Sequence, residues 1–150
     1  MKKFCAAAAI AVSLGVSIAV SLISGSALAG PTSAPAAAYA YIGYPNNGQT
    51  LPAGKPFRVW FGLRYMGVAP RGVQYPNTGH HHLLIDTDLP KSFDEEIPSD
   101  RQHLHFGAGE TETTLELPPG KHTLQLLMGD YMHVPHNPPV YSKKITIYVK

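Results

Sequence analysis

Cysteine is almost absent from this sequence of 150 residues, and its absence excludes several kinds of protein. The one cysteine, Cys5, lies in an apolar stretch, residues 4–23, that follows the opening MKK. The pattern Ala27-Leu28-Ala29 is typical of signal-peptidase cleavage, so residues 1–29 are predicted to be a signal peptide that is removed before Gly30. The mature chain then has no cysteine, which excludes disulfides, thiolate metal sites and a cysteine nucleophile. We expect the protein to be periplasmic or secreted.

Net charge is also lacking once the predicted signal peptide is removed. Lys2 and Lys3 account for the net charge of +2, and removing them leaves ten basic and ten acidic residues. No basic stripe remains, so neither a nucleic acid nor an anionic membrane surface is an expected partner. The apolar stretch approaches the roughly 20 residues of a membrane-spanning helix. Its serines, glycines and N-terminal position favour a signal peptide, so no stable membrane insertion is expected after cleavage.

A helical period is missing from the rest of the chain, which instead shows short β-branched and aromatic runs divided by Pro, Gly and Asn. Residues 30–38, rich in Ala and Pro, are predicted to be a flexible spacer before one domain at residues 39–150. The pattern predicts an all-β, immunoglobulin-like β-sandwich of about seven strands, with a partly open barrel as the alternative. The predicted strands are residues 39–43, 56–65, 79–87, 102–106, 111–117, 122–128 and 141–149.

Two features indicate how these strands pack. The segment TLELPPGKHTLQL, residues 114–126, alternates apolar and polar residues on both sides of Pro-Pro-Gly, which predicts a hairpin facing one core. Trp60, in FRVWFGL, is predicted to be a buried core residue, because a sandwich of this size usually buries one large aromatic side chain.

The eight histidines are the main sign of chemistry in this chain. In HHHLLID, alternation places His81 with Leu83 and Ile85 on the core face, and His80 and His82 on the opposite face with Asp86. In RQHLHFG the same rule places His103 and His105 together, opposite Leu104 and Phe106. A His-x-His pair on a strand presents two imidazoles side by side, a spacing that suits Cu(II) or Zn(II).

A third pair, His133 and His136, lies on a Pro-rich loop that follows a strand. The predicted metal ligands are therefore His80, His82, His103, His105, His133 and His136. Met128 and Met132 lie close in sequence and would favour Cu(I) if either thioether reached the site. No Cys-based finger or His-Glu-x-x-His helix sharpens this prediction.

Other polar residues have simpler interpretations. His122 follows Pro-Pro-Gly-Lys and is predicted to be a structural imidazole that hydrogen-bonds the turn, and His81 is predicted to be structural as well. The acidic segment SFDEEIPSD, residues 92–100, lacks the spaced aspartates of a calcium loop and is predicted to be a solvated surface loop.

Several long motifs resemble a known family. GHHHLLID, HLHFGAGETETTLELPPGKHTLQLLMGD and HVPHNPPVYSKKITI, with the upstream FGLRYMGVAP, are similar to a family of secreted or periplasmic bacterial domains of unknown function. The resemblance covers residues 39–149; it implies the domain limits and export, and it implies no activity. The opening YPNNGQTLPAGKPFRVWF is also similar to the start of immunoglobulin-like modules, which include small periplasmic copper carriers.

Three functions fit these patterns. The favoured one is an exported histidine-rich protein that binds copper, with zinc as second choice, and acts as a periplasmic carrier or buffer. The second is a non-catalytic envelope module that binds a protein or glycan through its tyrosines, which are Tyr39, Tyr41, Tyr44, Tyr65, Tyr75, Tyr131 and Tyr141. The third is a metal-dependent enzyme that uses an open coordination position and Asp86 as a base, although nothing specifies its substrate.

Overall fold

The computed structural model describes residues 32–150, and the predicted signal peptide and its cleavage point lie outside that range. The described chain forms nine strands and no helix. They are β1 (Tyr39–Tyr44), β2 (Thr50–Leu51), β3 (Phe57–Arg64), β4 (Gly67–Val68), β5 (Thr78–Ile85), β6 (His103–His105), β7 (Glu112–Leu115), β8 (Gly120–Gly129) and β9 (Ile145–Val149). Every predicted strand overlaps one of these, and the two-residue strands β2 and β4 are additional.

The strands form two sheets. A three-stranded antiparallel sheet has the order β1-β3-β7, and a six-stranded sheet has the order β2-β9-β8-β5-β4. In the larger sheet β6 also pairs with β5, on the edge of β5 that does not face β8. The predicted all-β sandwich is therefore confirmed, and the alternative of a barrel is wrong. Within residues 32–150 no helix is long and apolar enough to cross a bilayer.

The main core fills the space between the two sheets. β3 alternates strictly from Phe57 to Trp60, so that Phe57 and Val59 are buried while Arg58 and Trp60 point outward. Trp60 is 37% exposed, and the aromatic residue at the centre of the core is its neighbour Phe61, which is 2% exposed. The prediction that Trp60 is the core aromatic is thus wrong, because a shift of one residue along a strand changes the face.

The predicted hairpin around Pro-Pro-Gly is also wrong. β7 pairs with β3 in the small sheet, whereas β8 pairs with β5 and β9 in the large sheet. The chain therefore crosses from one sheet to the other at residues 116–119. Both strands still send alternate residues into the one core, so the hydrophobic pattern of an arch between sheets equals that of a hairpin.

A smaller apolar cluster covers the outer face of the large sheet. Leu84 of β5 and Leu127 of β8 pack there with Ile97, and Leu89 and Phe93 lie against them. The segment between β5 and β6 supplies the last three residues and lies over the sheet. This cover explains why Leu84 is apolar on the face that also carries His80 and His82.

The described part of the predicted spacer contacts the domain. Ser33 forms a β-bridge with Asn137, the Ala34 N–H donates to the Asn137 carbonyl at 3.1 Å, and Ala34 is buried in the main core cluster. Residues 32–34 therefore pack beside the loop that follows β8.

Candidate metal centre

Four histidines from three segments come together on the outer face of the large sheet. His80 and His82 are alternate residues of β5 and share that face. β6 pairs with β5 so that His105 lies directly opposite His82. His133 comes from the turn that follows β8, the strand on the other side of β5. We call His80, His82, His105 and His133 the four-histidine cluster.

Three rings of this cluster are close enough to share one ion. Ligand atoms of His80, His82 and His105 all lie within 4.8 Å of one another. The ring centroids of these three residues are 4.9 to 5.0 Å apart. The His133 ring lies 4.4 Å from that of His105, 5.1 Å from that of His80 and 5.8 Å from that of His82. Three of these histidines could therefore form a metal site, with His133 beside them as a fourth imidazole.

Two glycines make room for the cluster. A Cβ atom on Gly107 would overlap the imidazole of His105, and one on Gly129 would lie 2.8 Å from Cε1 of His82. Because any other residue would displace a ring, these glycines are part of the site.

The nitrogens of the cluster are buried without hydrogen-bond partners. Among residues 32–150, both ring nitrogens of His80 and of His82, and Nε2 of His105 and of His133, have none. His80 and His82 are 0% exposed. A buried polar group left without a partner costs about 1–3 kcal/mol, and native proteins rarely leave several together. A metal ion held by His80, His82 and His105 would satisfy one nitrogen of each of these three rings.

Burial keeps these imidazoles neutral. It is the main cause that lowers the pKa of His80 to about 4 and of His82 to about 2, and the neighbouring imidazoles lower both further. The pKa values of His105 and His133 are also lowered, first by burial. A neutral imidazole offers a lone pair to a metal, whereas an imidazolium does not.

The turn after β8 positions the His133 ring beside the other three rings of the cluster. His133 has a positive φ of 67°, a conformation that few non-glycine residues adopt. Its N–H donates to the Asp130 carbonyl at 3.0 Å, and its carbonyl accepts the Ile97 N–H at 2.9 Å. The turn is thus fastened to β8 on one side and to the covering segment on the other.

His103 and His136, also predicted ligands, do not join the cluster. Although His103 shares a face with His105, its Nδ1 lies 2.9 Å from Oδ1 of Asp100, which turns the ring away. Nε2 of His136 donates to the Thr78 carbonyl at 3.0 Å, and its ring packs against Gly79. Local hydrogen bonds therefore hold each of these rings apart from the other four.

His122 has the structural surroundings predicted for it, and His81 lies on the core face as predicted. Nδ1 of His122 lies 2.7 Å from Oδ2 of Asp86, and Nε2 lies 2.8 Å from the Pro118 carbonyl of the turn. Burial lowers the pKa of His122, but these two hydrogen bonds outweigh it and the pKa is raised. His81 points into the main core, with its ring 5.3 Å from that of Phe61, and burial lowers its pKa to about 4.

Asp86 does not support the prediction of a base near the metal. Its carboxylate accepts the Thr123 N–H at 2.7 Å and bonds His122, beyond the end of β5. The thioethers do not join the cluster either, because Met128 is buried in the main core and Met132 is 52% exposed. The acidic segment at residues 92–100 is exposed apart from Phe93 and the buried Ile97, as expected of a surface loop.

Sequence reasoning missed Gly107, Gly129 and Asp130, a buried acid at the end of β8. The dipeptide Gly129-Asp130 at the end of an apolar strand was a usable signal for the last two. Nothing in the sequence pointed to Gly107.

Comparison with known protein families gives a match. A family model described as a domain of unknown function (DUF4399) matches residues 59–150, from β3 to the last described residue. This confirms that the chain resembles such a family. No curated protein and no solved structure matches the chain.

Proposed function

Because the chain belongs to the DUF4399 family, whose description names no activity, we propose a function from the site itself. The four-histidine cluster binds copper, with zinc as the second choice, and the protein is an exported carrier or buffer of that ion. One observation carries the proposal: three histidines from two strands present ligand atoms within 4.8 Å of one another, and their buried nitrogens have no partner within residues 32–150.

The type of ligand supports this choice of ions. Imidazole suits copper and zinc, and the general affinity order places Cu(II) above Zn(II). Metal–nitrogen bonds of about 2.0–2.1 Å bring ligand atoms of a tetrahedral ion to about 3.4 Å from one another. Ligand atoms within 4.8 Å can reach that spacing by small ring rotations. Since neither Met128 nor Met132 joins the cluster, Cu(II) fits these ligands better than Cu(I).

The exposure of the ligands supports a carrier or buffer. His80 and His82 are fully buried, whereas His105 and His133 are half-buried. The cluster therefore has one side near solvent, through which an ion could enter and leave. The predicted signal peptide supports export of the protein.

The proposal is tested by titrating the purified metal-free protein with Cu(II) and with Zn(II) in a competition assay. The test variant carries His80→Asn and His82→Asn, and the matched control carries His103→Asn and His136→Asn. Each variant loses two imidazoles, but only the first loses them from the cluster. We expect the first to lose high-affinity binding and the control to keep it. Equal affinity of the wild type and the first variant would contradict the proposal.

A second candidate function is a non-catalytic envelope module that binds a protein or glycan. It is favoured by exposed aromatic residues on the small sheet and directly after its strand β3: Tyr39 is 47%, Trp60 37% and Tyr65 69% exposed. Trp60 packs over Gly43, and Tyr41 packs over Gly62. If this were the main function, Trp60→Ala with Tyr65→Ala would abolish partner capture from envelope extract, and a chelator would not change it.

A further inference from the structure

Asp130 is a buried carboxylate whose charge is not balanced by a nearby cationic side chain. It is 2% exposed, and no Lys, Arg or His in residues 32–150 comes within 4.0 Å of its oxygens. Oδ1 accepts the N–H groups of Met132 at 2.8 Å and Val134 at 3.0 Å, and Oδ2 accepts that of Thr32 at 3.4 Å. All three donors are backbone N–H groups, as an ionised carboxylate requires.

The charge of Asp130 lies beside the four-histidine cluster. Asp130 directly follows Gly129, which pairs with His80 across the sheet. His133 is three residues further on and donates its N–H to the Asp130 carbonyl. Burial is the main cause that lowers the pKa of His80 and of His133, and the charge of Asp130 opposes this lowering at both rings.

Other charges act on the cluster from exposed positions. Arg71 lowers the pKa of both His105 and His133, whereas Glu110 raises that of His105 and Glu96 that of His133. All three side chains are exposed, so water and salt screen them. Asp130 is the buried charge of this set, and its field on the cluster is screened least.

A cation bound by four neutral imidazoles keeps its full charge in a buried place, which is unfavourable without a counter-charge. Asp130 supplies that charge, and an ion in the cluster in turn compensates the buried carboxylate. We propose that Asp130 is the residue that makes the four-histidine cluster select a divalent over a monovalent cation. This inference rests on the proposed function, because it requires that the cluster bind a metal ion.

The loss of affinity caused by removing the charge of Asp130 should depend on the charge of the bound ion. Coulomb energy is proportional to the product of the two charges. Removing the charge of Asp130 therefore reduces the binding free energy of a divalent ion twice as much as that of a monovalent ion in the same site. In affinities, the fold loss for the divalent ion is the square of the loss for the monovalent ion. A change in the shape of the turn produces no such ratio.

The experiment compares wild type with Asp130→Asn, using Zn(II) as the divalent probe and Ag(I) as the redox-stable monovalent probe. The amide oxygen of Asn can still accept the N–H groups of Met132 and Val134, so the turn keeps these two bonds, while the charge and the long bond from Thr32 are lost. We expect the affinity for Zn(II) to fall at least about tenfold and that for Ag(I) about threefold. Because the charge is buried, both losses should persist at high salt.

Asp88→Asn is the matched control, since it removes one negative charge from an exposed residue that pairs with Lys144. We expect it to change neither affinity. Equal fold losses for the two ions in Asp130→Asn, or no loss for Zn(II), would overturn the inference while leaving the proposed function intact. A wild-type protein that binds neither probe would overturn the inference, and it would overturn the proposed function as well only if Cu(II) also failed to bind. The thermal midpoint of each metal-free variant shows whether the turn has been retained.

Discussion

The four-histidine cluster and the pair formed by His122 and Asp86 lie towards opposite ends of β5 and use the same side chain in opposite ways. Both nitrogens of His122 face oxygen acceptors, at 2.7 and 2.8 Å, an arrangement that suits the doubly protonated ring, and its pKa is raised. The rings of the cluster are grouped together, and burial and their neighbours lower the pKa values of His80 and His82. The imidazole paired with Asp86 therefore favours its protonated form. The grouped imidazoles favour the neutral form, in which a ring nitrogen has a lone pair for a metal.

The largest effect that we expect from this contrast is a loss of stability of the metal-free protein at acidic pH. Because the pKa of His80 in the folded protein is about 4 and that of an unfolded histidine is about 6.5, the unfolded chain binds protons first as the pH falls. The metal-free protein should therefore lose about 3 kcal/mol of unfolding free energy from this residue between pH 6.5 and pH 4. Urea unfolding at several pH values measures the loss. A variant with His80→Asn and His82→Asn should lose less over that range, and an equal loss would break the contrast.

A smaller effect is expected from filling the space beside His105. Gly107→Ala places a methyl group in the ring, so the ring must move away from the cluster. We expect metal affinity to fall about tenfold and stability by about 1–3 kcal/mol. Gly67→Ala is the control, because its Cβ would lie 3.2 Å from Thr78 Cγ2 and the site is not affected. Unchanged affinity in Gly107→Ala would show that His105 is not a ligand.

The smallest expected effect concerns the paired imidazole, and its pH dependence has the opposite sign. The raised pKa of His122 means that its bond with Asp86 stabilises the fold below about pH 6.5, and that this stabilisation is lost as the pH rises through the folded pKa. Asp86→Asn, which keeps an acceptor for the Thr123 N–H, should cost about 1 kcal/mol at pH 6 and less at pH 9. Chemical denaturation at both pH values measures this. A cost that is equal or larger at pH 9 would refute the account of His122.

Alternation along a strand predicted much of the fold and part of the site. It gave the outward face of His80 and His82 and the inward face of His81, and it located the strands that form the sandwich. It did not predict which strands pair. The pairing of β6 with β5 brings His105 opposite His82, and the pattern around Pro-Pro-Gly is the same for a hairpin as for an arch between sheets.

The remaining differences come from local hydrogen bonds and close contacts that residue spacing does not encode. Asp100 hydrogen-bonds His103, and the Thr78 carbonyl accepts from His136. Only one ring of each of these two predicted pairs, that of His105 and that of His133, therefore joins the cluster. Trp60 and Phe61 are both large aromatic residues, and only the register of β3 with its neighbours decides which of them enters the core. The covering segment also contacts the site, because the Ile97 N–H donates to the His133 carbonyl.

X-ray absorption spectroscopy of the protein loaded with one equivalent of Cu(II), and separately of Zn(II), tests the central claim most directly. We expect nitrogen neighbours at about 2.0 Å, outer scattering from three to four imidazole rings, and no sulfur neighbour. The same spectrum should be obtained from the His103→Asn, His136→Asn control. A spectrum dominated by oxygen neighbours with fewer than two imidazoles would contradict the assignment of the four-histidine cluster as a metal site.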